Sequence, residues 1–254
     1  MMLRGRPLPP VPLWTPKFSR ENLRRLAVNK EAFDRGFRME AISPGDLLFP
    51  SFEGCYQSGV HLDEILQRRL PAYVGVDLAG DKRPGNCIFV AGHDPGTGHR
   101  YALEVLYGAW LSPQTAGHIA EIDERHNVRV IQVENNAYQS SLQQWIQQEK
   151  GRHTSIWPKI QAFTTGMNKS HPEYGLAGME IEFKNKAWVF ASSKWSGHDS
   201  TCTCNWCHFA REVAMYPRYP TSDGVMAMWF ARDAINKWGG IAGNGLRVGD
   251  LNAR

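Results

Sequence analysis

The sequence predicts a mixed α/β fold, one β-sheet flanked by helices. Short apolar runs rich in β-branched and aromatic residues begin at residue 72. Gly-, Pro- and Asp-rich links join the first three, as hairpin turns require. Later runs alternate with helical patterns, which gives the order β-β-β-α-β-α-β. The 254 residues are 42% hydrophobic and 21% charged. That composition suits one globular domain with an appended arm and excludes a disordered chain.

The chain opens with a proline-rich stretch to Pro16, which should be extended. Residues 18–35 read as a basic helix with Ser19 as N-cap and Leu23, Leu26 and Phe33 on its apolar side. Turn signals at Ser43, Pro44 and Gly45 mark a boundary, so residues 1–45 are expected to form an arm and residues 46–254 the body. The arm holds nine Lys/Arg against four Asp/Glu, whereas the body holds twenty against twenty-one. Bulk charge therefore gives the body no attraction for nucleic acid, and binding would need a local patch. No run of 18 apolar residues exists, and no apolar segment follows Arg4 and Arg6, so neither a membrane span nor a secretory signal is expected. An odd count of five cysteines points to a reducing compartment.

Strands are expected over 72–77, 86–92 and 100–110. A helix follows over 112–126, with Ser112 as N-cap and Pro113 in its first turn. A β-branched strand at 128–133 ends at Glu134, and a polar helix is expected over 138–149. A further strand at 156–163 contains Pro158, which suits its start poorly. Asp223-Gly224 opens the last helix, 225–237, with Met226, Trp229, Phe230 and Ala234 as its buried stripe.

Three carboxylates fall at informative places. Asp77 ends the first strand, Glu134 ends the fourth, and Asp223 starts the last helix. In an open α/β sheet, strand ends of this kind converge on a crevice. Clustered carboxylates raise one another's pKa unless a cation balances them, and hard divalent ions prefer oxygen ligands. The chemistry this suggests is metal-dependent phosphodiester hydrolysis. Taken singly, each acid has a plainer reading, as a turn former or a helix cap.

The surrounding residues are more specific. Val76-Asp77-Leu78-Ala79, Val133-Glu134-Asn135-Asn136-Ala137-Tyr138-Gln139, Thr164-Thr165-Gly166-Met167-Asn168-Lys169 and Thr221-Ser222-Asp223-Gly224-Val225-Met226-Ala227 occur in that order. This pattern, over about residues 70–240, resembles the nuclease domain of the large terminase subunit of tailed bacteriophages, a ribonuclease H-like fold. The resemblance implies an endonuclease that cuts concatemeric viral double-stranded DNA during packaging. Asp77, Glu134 and Asp223 would be catalytic and would ligate two Mg²⁺ or Mn²⁺ ions. Many members pair two acids at the third motif; here Ser222 precedes Asp223. The portal and procapsid, a small terminase subunit and an ATPase domain are the implied partners, and the host bacterial cytoplasm the implied location. No G-x-x-x-x-G-K-[S/T] phosphate loop occurs, so the packaging ATPase is not in this sequence. The arm then reads as the passage from an ATPase domain.

Other polar groups carry two readings each. Asn168 and Lys169 can contact phosphates or form a solvated loop. Lys82 and Arg83 can touch a duplex or merely solubilise a hairpin tip. Asp81 can support the metal site or sit as a loop acid. Asn135, Asn136 and Gln139 can orient Glu134 or cap the following helix. The run Cys202-x-Cys204-x-x-Cys207-His208, with His198 nearby, invites a zinc reading. Cys207 and His208 are adjacent, however, and cannot comfortably bind one ion together. Reduced thiols ahead of a helix over 208–216 are therefore expected, without zinc. Two alternatives share part of this reading: a resolvase or other nuclease of the same fold, and a non-catalytic DNA- or capsid-docking module.

Overall fold

The computed structural model describes residues 2–3, 6–7, 47–57, 59–78, 85–134, 155–171, 173, 175–191, 198 and 201–241. The expected helices over 18–35 and 138–149 lie outside these residues. The chain divides into two compact units, Met1–Leu47 and Leu48–Arg254. In the first, Met2–Leu3 pairs antiparallel with Arg6–Pro7.

The second unit holds a seven-stranded mixed sheet with helices on both faces. Its strands are β1 (Tyr56–Gln57), β2 (Pro71–Asp77), β3 (Asn86–His93), β4 (Arg100–Gly108), β5 (Asn127–Glu134), β6 (Ile160–Phe163) and β7 (Trp188–Ala191). Its helices are α1 (Leu62–Gln67), α2 (Ser112–Arg125), α3 (Leu176–Lys184), α4 (Asn205–Ala214) and α5 (Asp223–Trp238). The strand order is β1-β7-β4-β3-β2-β5-β6. β2, β3 and β4 form an antiparallel meander, and β5 lies parallel to β2 on its other side. This is the mixed sheet flanked by helices that the sequence predicts.

Each strand alternates between two cores, as a pleat of period two requires. Val74, Val76, Ile88, Val90, Ile131 and Val133 pack toward α2 through Ala116, Ile119 and Ile122. Tyr73, Cys87, Phe89 and Val130 face the larger core with α4 and α5. α5 lies almost on the backbone of β2: a Cβ added to Gly75 would come within 1.9 Å of the Ala227 carbonyl oxygen. The Tyr73 hydroxyl donates to the Trp238 carbonyl at 3.4 Å, so α5 runs antiparallel to β2 and opens beside Asp77. Phe209 stacks on Phe89 with centroids 5.0 Å apart and fixes α4 on the same face.

Several boundaries differ from those expected. Pro158 lies in a single 3₁₀ turn, Trp157–Lys159, so β6 starts only at Ile160, where the missing N–H no longer interrupts the ladder. Leu111, not Ser112, is the N-cap of α2, and its N–H donates to Gln114 Oε1 at 3.0 Å. α4 starts at Asn205, three residues before the expected start, because Cys204 caps it by accepting from the Cys207 N–H. No helix among the described residues is long and apolar enough to cross a membrane.

Candidate functional site

The register across the sheet brings the first two acids together. Val76 pairs with Val133, so the next residues, Asp77 and Glu134, end neighbouring parallel strands side by side. That register depends on one irregular step. Ala72 pairs with Val128 but Tyr73 with Val130, which leaves Arg129 extra on β5. From that point Gln132 shares a face with Gly75, and Glu134 with Asp77. Gln132 donates to Asp233 of α5 at 2.8 Å, which identifies this as the α5 face.

The same row continues across the meander. Asp77 pairs with Cys87 and Cys87 with Tyr107, so Glu134, Asp77, Cys87 and Tyr107 form a line of side chains across four strands. The Tyr107 hydroxyl donates to Glu212 Oε2 of α4 at 2.6 Å. The same oxygen accepts the Gly224 N–H at 2.8 Å, in the first turn of α5 next to Asp223. A Cβ at position 224 would lie 1.9 Å from the Tyr107 hydroxyl and 2.5 Å from Glu212, which explains the glycine after Asp223. Glu212 is fully buried, and its Oε1 has no hydrogen-bond partner among the described residues.

Asp77 and Cys87 of this row are pushed upward by burial and by nearby acids. Burial, Glu134, Asp223 and Glu212 all push the Asp77 carboxyl well above the usual carboxylate range, and a hydrogen bond shared with Glu134 adds to the effect. Burial, then Glu212 and Asp77, likewise raise the Cys87 thiol. Glu134 is held from its far side, since the Thr165 hydroxyl donates to its Oε1 at 2.5 Å. Three carboxylates beside a buried fourth form an oxygen-rich anionic set, the chemistry that suits a hard divalent cation. The set is more open than a closed metal cage: it is not among the described groups whose ligand atoms all lie within 4.8 Å of one another. A cavity of about 900 Å³ lies elsewhere, lined by Leu62, Ile65, Arg69, Glu104, His126 and Trp206, and Asp77, Glu134, Asp223 and Glu212 are not in its lining.

Asp77, Glu134 and Asp223 thus sit in one neighbourhood, as the strand ends suggested. Lys169 lies half-buried in the 3₁₀ turn Met167–Ser170, just beyond Thr165. Asp81, Lys82, Arg83, Asn135, Asn136, Gln139 and the side chain of Asn168 lie outside the described residues. Sequence reasoning missed Tyr107, Thr165 and Glu212. Glu212 is the fourth carboxylate here, supplied by α4 rather than by position 222. Of these three, only Thr165 left a sequence signal, within the Thr-Thr-Gly motif. A second cluster joins His198 to Cys202, Cys204 and Cys207. His208, whose adjacency to Cys207 argued against zinc, stands apart from it, packed on Tyr107 and Tyr219.

No protein-family model matches the chain, and no curated protein matches it. Solved structures do match. The large terminase of a thermophilic bacteriophage matches at 12% identity and TM-score 0.47, over 85% of this chain and 51% of that one. The nuclease domain of the bacteriophage SPP1 large terminase, with bound Mn, matches at 14% identity and TM-score 0.45, over 70% and 94%. The human cytomegalovirus terminase nuclease domain, Mn-soaked and inhibitor-bound, matches at 13% identity and TM-score 0.43, over 64% and 81%. The chain therefore spans about half the length of the thermophilic phage terminase it matches.

Proposed function

We propose that this chain is a divalent-metal-dependent endonuclease acting on double-stranded DNA, with the packaging role that its sequence motifs imply. One observation carries the reading: Asp77, Glu134 and Asp223 come from three separate elements, and burial together with repulsion from the other two lifts the Asp77 carboxyl. Asp77, Glu134 and Asp223 would hold the ions. Two divalent ions at such a site supply an activated water and stabilise the leaving oxygen of a phosphodiester.

The protein's own part is positioning. Thr165 holds one oxygen of Glu134, which fixes the orientation of that carboxylate. Glu212 anchors the first turn of α5 through Gly224 and thereby sets where Asp223 stands. Asn168 and Lys169, with Lys82 and Arg83, would contact DNA phosphates. Asp81, Asn135, Asn136 and Gln139 would support the ligands from behind. The portal, procapsid, small subunit and ATPase partners belong to this same proposal.

The test is cleavage of supercoiled plasmid in Mn²⁺ or Mg²⁺. Asp77→Asn should lose more than about a hundredfold in rate, a larger effect than loss of a group that only supports a ligand, while remaining folded. Equal cutting by wild type and Asp77→Asn would overturn the site assignment. Linear duplex, a four-way junction and an RNA–DNA hybrid, assayed side by side, separate the packaging endonuclease from a resolvase or hybrid nuclease. Absence of divalent-dependent cutting on all three would leave a docking module.

A further inference from the structure

We propose that His198, Cys202, Cys204 and Cys207 form a structural zinc site that clamps the segment before α4 onto the start of that helix. The four ligand atoms all lie within 4.8 Å of one another. His198 Nδ1 stands 3.1 Å from Cys202 Sγ, 3.5 Å from Cys204 Sγ and 3.2 Å from Cys207 Sγ. Zinc bonds of about 2.3 Å to sulfur and about 2.0–2.1 Å to nitrogen give tetrahedral edges of roughly 3.5–3.8 Å. The three edges at His198 need at most a few tenths of an ångström of expansion to fit, and all edges stay within 4.8 Å.

The donor set also selects the metal. Three sulfurs and one imidazole are the soft and borderline ligands that zinc takes and that Mg²⁺ and Mn²⁺ leave. Cys204 is the N-cap of α4, and its sulfur accepts the Cys207 N–H at 3.5 Å. A helix N-terminus favours thiolate there. Arg211 donates to the Cys202 carbonyl at 2.7 Å, which fixes that ligand's backbone and brings a positive charge beside an anionic cage. Four protein ligands close the coordination sphere, so the ion would hold structure rather than activate water. What it holds matters: α4 carries Phe209, stacked in the core, and Glu212, which anchors α5.

The test is metal analysis of the full chain purified under reducing conditions without added zinc. About one zinc per chain should survive gel filtration and be released by a thiol-specific mercurial. Cobalt exchange should give thiolate-to-cobalt charge transfer with the intense visible bands of a tetrahedral centre. Cys202→Ser with Cys207→Ser should lose the zinc, and His198→Gln should lose it to a chelator at least about tenfold faster. His208→Gln and Asp77→Asn should keep it fully, which separates this site from the nuclease reading. Wild-type protein that is reduced yet carries less than roughly a tenth of a zinc per chain would overturn the proposal. So would a Cys204–Cys207 disulfide in fresh protein, or a pale octahedral cobalt spectrum; both are read on the wild-type chain.

Discussion

Asp77 and Glu104 stand on opposite faces of one sheet, and their carboxyls are driven in opposite directions. Burial raises both. At Glu104, hydrogen bonds from His126 and Arg125, each 2.8 Å long, outweigh it and hold the carboxyl below its ordinary value. At Asp77 the neighbours are Glu134, Asp223 and Glu212, and burial is reinforced. The difference lies in which end of a helix arrives. The C-terminus of α2 brings Arg125 and His126 to hydrogen-bond Glu104, whereas the N-terminus of α5 delivers another acid to Asp77. Glu182 of α3 is neutralised as well: it pairs with Arg232 at 2.7 Å and Arg100 at 3.0 Å and accepts from Trp188 Nε1 at 2.8 Å. Two acids of this fold are thus met by basic side chains, whereas Asp77 is met by further acids.

The comparison is broken most severely at Arg232→Met. Arg232 is 4% exposed and also donates to the Glu173 and Gly175 carbonyls, so its loss removes one of the two cations on Glu182 and a buried donor from two backbone carbonyls. We expect a loss of about 3–5 kcal/mol in urea unfolding. A change below about 1 kcal/mol would mean that Glu182 is not held by this pair.

A smaller effect of opposite sign is expected at Asp77. Its folded pKa lies above the ordinary 3.8, so the folded chain retains a proton that the unfolded chain has released. Stability in chelator should therefore fall as pH rises from about 4 through the raised value. Asp77→Asn should remove that slope and gain about 1–3 kcal/mol at neutral pH, measured without metal. Added Mn²⁺ should flatten the wild-type slope and leave the variant unmoved. A slope that persists in Asp77→Asn assigns it to another group.

Glu104→Gln sharpens the other side. Because the folded pKa of Glu104 is depressed, its contribution is present above the ordinary 4.5 and disappears as pH falls through the lowered value. With Arg125 half exposed, a cost of about 1 kcal/mol at neutral pH is expected, vanishing in acid. An equal cost at every pH would show that packing, not charge, is what the variant lost.

The parts of this molecule that local pattern can specify were legible. The apolar run ending in Asp77, the β-branched run ending in Glu134 and the Asp-Gly start of α5 each announce an element and its end. What local pattern cannot specify is which polar residue distant chain will cover. Glu212 reads as a surface acid on a short helix, and its burial depends on Tyr107, 105 residues earlier. β7 is four residues long with no turn signal to frame it, and its strand character comes from pairing with β1 and β4. α1 and α3 span six and nine residues, too short for a 3.6 period to declare itself. Spacing placed both His198 and His208 near the thiols and could not say which imidazole joins them.

The extra residue at Arg129 decides which way Glu134 faces. Were Arg129 paired with Tyr73 in an unbroken ladder, Asp77 would stand beside Val133, and Glu134 would face the aliphatic layer against α2. The bulge five positions upstream thus works as a phase selector for the acid pair. Deleting Arg129 itself would leave Glu134 beside Asp77, whereas deleting one residue between Val130 and Glu134 with the bulge kept would turn the acid to the α2 face, and an insertion there would turn it back. For this sheet, the count of residues along β5 is as much a determinant of the pocket as the identity of the acid at its end.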